Sequence, residues 1–340
     1  MKVFLSHSKR DEDKRARNLS AMLSRFLSAR GIDVVFDEHS FVAGEPLAQQ
    51  IIDGILSSDR FVFVATPEAF TSGYVSNELK FATGKATKAG TNPFIIVLNL
   101  QDDMDYLPEH LHFDLMLNGD GKSLLLNMYQ VYFALLGKNM NALIQGDFGP
   151  YPKTDWVILE RIDDLDIIGE GAVHYTASYA VMNVCEKPKA YSLSTNFWND
   201  DGSPIEVTNI ESSSEHGRVS CRHTIRDHRG TETISIYVDS EDDIPPGEVL
   251  AFDISFINRK AFPADRALTH EIDIEEKSYG KYDIRMRVPR HSREISPALR
   301  WKKKGKDRKA PQFKPVSNGI FGITLPETTP GNWYQIEWLK

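Results

Sequence analysis

The chain has 340 residues, 41% hydrophobic and 26% charged, with 40 Lys+Arg against 48 Asp+Glu and a formal net charge of -8. This composition suits about two folded domains and argues against a protein whose main task is non-specific nucleic-acid binding. The two cysteines, Cys185 and Cys221, make no disulfide framework. No apolar run approaches the roughly 20 residues of a membrane helix. The opening MKVFLSHSKRDEDK has no signal-peptide core, so the cytoplasm is the expected compartment.

Up to about residue 140, apolar strands alternate with helical segments. Val3–Leu5 is a short strand leaving through Ser6, His7 and Ser8. Asp11 to Arg30 carries Leu19, Met22, Leu23, Phe26 and Leu27 at helical spacing, and Gly31 stops it. Ile32–Phe36 reads as a second strand, followed by a loop with Gly44 and Pro46. Leu47, Ile51, Ile52 and Ile55 mark a helix, Arg60–Ala65 a strand, Ser72–Lys88 a helix and Pro93–Leu100 a strand apolar enough for burial on both faces. Leu107–Leu117 fits either state, and Lys122–Leu136 reads as the last helix. This alternation predicts a parallel sheet covered by helices. Such sheets place ligands beyond the carboxyl ends of their strands. The candidate segments are therefore Ser6–Arg10, Phe36–Gly44 and Thr66–Glu78.

After residue 150 the period becomes two, as in Val173/Tyr175/Ala177/Tyr179/Val181, Ile234/Ile236/Val238 and Tyr282/Ile284/Met286/Val288. Turn signals stand at Asp201-Gly202, Arg229-Gly230, Pro245-Pro246-Gly247, Tyr279-Gly280 and Pro330-Gly331. Thr224–Asp227 and Glu232–Val238 read as a hairpin around Arg229-Gly230. Together these predict an all-β antiparallel sandwich. The expected organisation is an α/β domain over 1–140, a linker over 141–153 and a β-sandwich over 154–340.

Familiar enzyme signatures are missing. No G-x-G-x-x-G follows the first strand, and there is no Walker A loop, H-E-x-x-H or C-x-x-C. The pairs His110/His112 and His223/His228 have no completing ligand cluster, so no metal site is expected. What remains is an ordered set of boxes: KVFLSHS, then Phe36-Asp37-Glu38 entering a loop with Gly44, then IIDGI with Ser57-Ser58, then TPEAFTSGYVSNEL with Tyr74 and Glu78 four apart, then Leu111–Asp114. In this order they resemble the Toll/interleukin-1 receptor (TIR) domain family over about two fifths of the chain. Tyr74 departs from the tryptophan of many members.

That resemblance implies a flavodoxin-like α/β fold. It implies either an adaptor that signals through TIR–TIR contacts or an enzyme that cleaves NAD⁺ at the nicotinamide–ribose bond. In the second case NAD⁺ is the substrate and no cofactor is needed. Such cleavage passes through an oxocarbenium-like state, and a carboxylate beside the ribose stabilises it. Glu78 is that candidate, the alternative being a solvated glutamate in the first turns of its helix. Tyr74 would flank the site.

Ser6, His7 and Ser8 suit a phosphate or ribose, or simply cap a helix. Phe36 either stacks on a ring or fills the core, and Asp37 either holds a ribose hydroxyl or starts a turn. Gly44 lets its loop reshape against a neighbour. Lys9 and Arg10 meet phosphates or are exposed charge. The resemblance further implies self-association, and a bacterial immune effector in antiphage defence that depletes NAD⁺ or makes a cyclic ADP-ribose. The β domain would then receive an unknown activating ligand or protein. The basic run Arg300–Lys309, with Trp301, reads either as a nucleic-acid contact or, preferred here, as a solvated hairpin tip. Cys185 and Cys221 read as buried and unreactive.

Overall fold

The structure is a computed structural model of the chain. It describes residues 1–8, 14–36, 46–89, 94–101, 105–108, 111, 115–119, 124–137, 155–169, 172–198, 207–213, 219–228, 231–259, 261, 268–274, 279–288, 297–303, 305–317, 319–326 and 332–338. Two compact units result, Met1–Gln145 with Val184–Glu186, and Gly146–Asn183 with Lys187–Lys340. The expected linker 141–153 lies outside the described residues.

In the first unit the elements run β1 (Lys2–Ser6), α1 (Lys14–Ser28), β2 (Asp33–Val35), α2 (Leu47–Ser57), β3 (Arg60–Ala65), α3 (Pro67–Phe70), α4 (Gly73–Ala89), β4 (Ile95–Asn99), β5 (Leu115–Asn118) and α5 (Leu124–Leu135). The five strands form one parallel sheet in the order β2-β1-β3-β4-β5. Every residue of β4, and all of β3 after Arg60, is buried, so their continuous apolar runs are covered on both faces. The stripe Leu19, Met22, Leu23, Phe26 and Leu27 of α1 is buried as its spacing requires. Gly31 ends that segment at φ +76°, a conformation that favours glycine. A Cβ on Gly54 would stand 3.1 Å from both Phe4 and Val35, so α2 lies close over β1 and β2. Two features go beyond the sequence pattern: α3 is an additional four-residue turn, and the ambiguous stretch 107–117 leads into β5.

The second unit is built from β6 (Trp156–Gly169), β7 (Ala172–Asn183), β8 (Ser192–Trp198), β9 (Val207–Ser213), β10 (Val219–His228), β11 (Thr231–Ser240), β12 (Val249–Asn258), β13 (Leu268–Ile274), β14 (Tyr279–Arg287), β15 (Ala298–Lys303), β16 (Lys306–Arg308), β17 (Lys314–Ser317), β18 (Ile320–Thr324) and β19 (Asn332–Trp338). They form sheets β17-β18-β14-β6-β7-β12-β9, β10-β11-β8 and β13-β19-β15-β16. Inward residues of all three, among them Tyr175, Phe252, Ile236, Ile284 and Tyr334, share one apolar core. The expected hairpin is formed by β10 and β11, with His228 paired to Thr231.

Among the described residues, the pairing in this unit is antiparallel except that β14 runs parallel to β6. Tyr279-Gly280, expected as a turn, instead opens β14. That strand carries Tyr282, Ile284 and Met286 into the core on alternate positions. Its other face answers β6 with charge, Lys281 to Glu160 at 3.3 Å and Arg287 to Asp166 at 3.5 Å. Burial inside and opposite charge outside therefore select the same register.

The β6 strand also carries a charged pair inward. Asp163 is fully buried and accepts hydrogen bonds from Arg161 Nε at 2.8 Å and Arg161 Nη2 at 2.9 Å. The Tyr282 hydroxyl donates to it at 2.5 Å. Burial by itself would lower the Arg161 pKa, but Asp163 together with Tyr179, Tyr282 and Tyr175 raises it, so the guanidinium stays charged. Burial and the Asp163 charge push the Tyr175 hydroxyl up.

Candidate active site

The carboxyl edge of the parallel sheet collects the polar residues of the first unit. Strand β1, between β2 and β3, is apolar from Val3 through Leu5 and ends at Ser6, with His7 and Ser8 following; all three polar side chains are buried. Helix α4 is oriented by Val75, Leu79 and Ala82, which pack with Phe61 and Phe63 of β3 and with Ile55 of α2. Glu78 lies beside that stripe, one residue before Leu79. Its carboxylate therefore reaches the end of β1, where Ser6 Oγ–H donates to Glu78 Oε2 at 2.5 Å. The contact joins residues 72 positions apart.

Tyr74 sits one turn before Glu78 and is 65% exposed, so it stands at the rim. His7 is brought against Phe36, with ring centroids 5.1 Å apart and planes tilted by 32°. Phe36 is only 1% exposed. Asp37, Gly44, Lys9 and Arg10 lie outside the described residues.

A polar network that sequence reasoning missed ties the neighbouring strand ends together. The Tyr106 hydroxyl bridges Asn99 Oδ1 and, at 3.2 Å, the Ala65 carbonyl. Asn99 Oδ1 also accepts from the Gln101 amide at 3.0 Å, and the Asn99 carbonyl accepts from the Gly119 amide at 2.7 Å. From α5, Asn127 Nδ2 donates to the Gly119 carbonyl at 3.2 Å, and Gln130 Nε2 to Asn127 Oδ1 and the Asn118 carbonyl, each at 3.1 Å. The available signal was Asn127 and Gln130, three apart in the otherwise apolar LLLNMYQVYFAL. Buried polar groups of this kind need partners.

A second concavity lies at the far end of α4 and is not part of this arrangement. It is a groove lined by Leu56, Lys80, Phe81, Gly84, Lys85 and Lys88. Its Lys85 ammonium is committed to the end of α2, donating to the carbonyls of Ile55 at 3.1 Å, Leu56 at 2.8 Å, and Ser58. Burial lowers the Lys85 pKa.

In the second unit the basic run forms the hairpin β15–β16, turning at Gly305 with φ +74°. Arg300 pairs with Glu337 at 3.1 Å. Trp301 donates to Asn332 Oδ1 at 2.9 Å and stacks on Tyr334 at 5.9 Å. The tryptophan is thus engaged with its own sheet, as the hairpin reading has it. Among the described residues no group of three or more His, Cys, Asp or Glu could hold a metal ion, and no helix is long and apolar enough to cross a membrane.

Solved structures similar to the chain include the TIR domain of the Toll-related receptor TRR-2 from Hydra magnipapillata, at 20% identity, covering 34% of this chain and 82% of that one with a TM-score of 0.26. The Clostridium botulinum CMP N-glycosidase BcmB matches at 18% identity over 39% of this chain and 99% of that one, TM-score 0.29. An M1 zinc metallopeptidase from Deinococcus radiodurans matches at 10% identity over 54% of this chain but only 43% of its own, TM-score 0.27. No curated protein sequence matches the chain. The family model of the TIR domain matches residues 3–123. That span holds the whole parallel sheet from Val3 through β5, together with Ser6 and Glu78. Over residues 3–123, which hold the parallel sheet and Glu78, the chain is similar to the TIR domain family.

Proposed function

We propose that this chain is an NAD⁺ glycohydrolase whose reacting carboxylate is Glu78. One observation carries the reading: within a TIR domain, Glu78 stands at the carboxyl edge of the parallel sheet with Oε2 held by Ser6. That edge is where folds of this class bind ligands. The C1′–N bond of NAD⁺ breaks with its electron pair going to the nicotinamide nitrogen. Nicotinamide already carries positive charge and leaves neutral, so no acid is needed. The cation at C1′ is stabilised by the nearby carboxylate, and water then supplies a hydroxyl to C1′ and releases a proton. The products are ADP-ribose and nicotinamide; capture of C1′ by the substrate's own adenine gives a cyclic product instead.

Tyr74 at the rim flanks the nicotinamide end. Self-association through the TIR domain, biased by a ligand or partner of the β unit, gates the activity. The setting proposed is cytoplasmic antiphage defence. The test is nicotinamide release by purified protein, dilute and artificially clustered. Wild type turns over NAD⁺ faster when clustered, and Glu78→Gln lowers the rate by roughly 10²–10³. A folded Glu78→Gln protein with the wild-type rate would falsify the assignment. The alternative reading, a non-enzymatic TIR scaffold, draws on the exposed apolar residues Leu56 and Phe81 of the α2–α4 groove. It is supported if clustered wild-type protein binds its own copies and leaves NAD⁺ intact.

A further inference from the structure

We infer that Ser6 is a positioning residue that acts on the reaction through Glu78 and makes no contact with substrate. The inference rests on the reading of Glu78 as the reacting carboxylate. Ser6 is 2% exposed, which leaves its hydroxyl no open path to a bound ribose or phosphate. Its hydroxyl proton is given to Glu78 Oε2 at 2.5 Å, within the range of charge-assisted O–H···O⁻ bonds.

The two partners differ in rigidity. Ser6 ends β1 and is paired with β3, opposite Phe63, while the pairing with β2 stops at Phe4 opposite Val35. Its backbone is thus fixed by the sheet on the β3 side. Glu78 has three side-chain torsions, and fixing such a chain costs it rotamer freedom. A donor on the fixed strand bears that ordering before substrate arrives, which is how an electrostatic site is preorganised. The chemistry of the donor matters as well. A lysine or arginine at position 6 would orient the carboxylate but neutralise the charge that must meet the C1′ cation. A serine hydroxyl orients it and leaves the charge in place.

The test uses the full chain, clustered, with NAD⁺ as the probe, in a cycle of Ser6→Ala, Glu78→Gln and the double variant, with Ser6→Thr as the restoring substitution. Thermal melts of each variant accompany the kinetics. Losing a hydrogen bond to a charged group is expected to lower kcat roughly 10- to 100-fold, with KM nearly unchanged. The acidic limb of the kcat/KM–pH profile moves to higher pH, because the donor favours the ionised carboxylate. Ser6→Thr recovers most of the rate. In the Glu78→Gln background, Ser6→Ala costs little more, since it has no carboxylate left to act through.

A folded Ser6→Ala protein with wild-type kcat and an unmoved pH profile overturns the inference. So does an equal loss in both backgrounds, or a rise in KM alone, which would put Ser6 on the substrate. If Ser6→Ala melts early, Ser6→Cys, which keeps the size and weakens the donor, is read by the same kcat, KM and pH profile. Failure of the underlying reading looks different: Glu78→Gln itself retains the full rate, or clustered wild-type protein releases no nicotinamide.

Discussion

Replacing Asp163 by leucine removes the acceptor of three buried hydrogen bonds, from Arg161 Nε and Nη2 and from Tyr282 Oη. The Arg161 side chain is 11% exposed and that of Asp163 is fully buried, so water does little to solvate what is left. Breaking a buried ion pair on one side costs about 3–5 kcal/mol, because the remaining charge is uncompensated. For a unit of this size 1 kcal/mol moves Tm by about 2–4 °C, so the expected fall is roughly 6–20 °C. The double variant Arg161→Met/Asp163→Leu removes both charges and should lie within about 2 kcal/mol of wild type.

The protein supplies its own probe. All five tryptophans, Trp156, Trp198, Trp301, Trp333 and Trp338, fall in the second unit. Thermal unfolding followed by tryptophan fluorescence therefore reports on that unit alone. A single variant that melts within about 2 °C of wild type, or a double variant as unstable as the sum of the two singles, would refute the account of this network.

Three further outcomes are expected. Gly119→Ala should destabilise the first unit by roughly 1–3 kcal/mol, read by far-ultraviolet circular dichroism. An added Cβ there meets the Asn99 carbonyl at 3.0 Å and Leu100 at 2.9 Å, whereas at Gly322 its close contact is the exposed Val316 side chain, with the Ile284 carbonyl at an ordinary 3.9 Å, and Gly322→Ala should be mild; equal melting of the two contradicts this. Lys85→Ala should lower stability by about 1 kcal/mol through loss of the cation at the carbonyl end of α2, and a melt unchanged by the substitution would count against that role. Cys221 has its thiol pushed up by burial and by Asp239, so less thiolate is present at neutral pH. Its alkylation by iodoacetamide should be slower than that of free cysteine and rise at higher pH; Asp239→Asn should bring that rise to lower pH, and alkylation as fast as free cysteine at pH 7 speaks against the shift.

The sequence by itself determined what local periodicity encodes. Arg60–Ala65 reads as a strand with the bounds it has. The stripe of α1 and the change near residue 140 from helical to two-residue period follow from the same apolar spacing. The boxes carrying Ser6 and Glu78 were legible as separate stretches, because polar residues at the exit of an apolar strand stand out.

Only the tertiary structure decided which of these residues meet. Ser6 reaches Glu78 while His7 turns to Phe36, since successive side chains leave a strand on opposite faces. Tertiary pairing also decided that β14 joins β6 in parallel, because nothing in a period of two records strand direction. It placed Asp163 inside as well. The β6–β7 register shifts between Ile158 and Glu160, and a charged residue in a strand reads as solvent-facing until a partner such as Arg161 is seen to balance it. Hydrogen bonds and ion pairs between distant segments depend on where the chain returns, and that is set by the packing of the whole core.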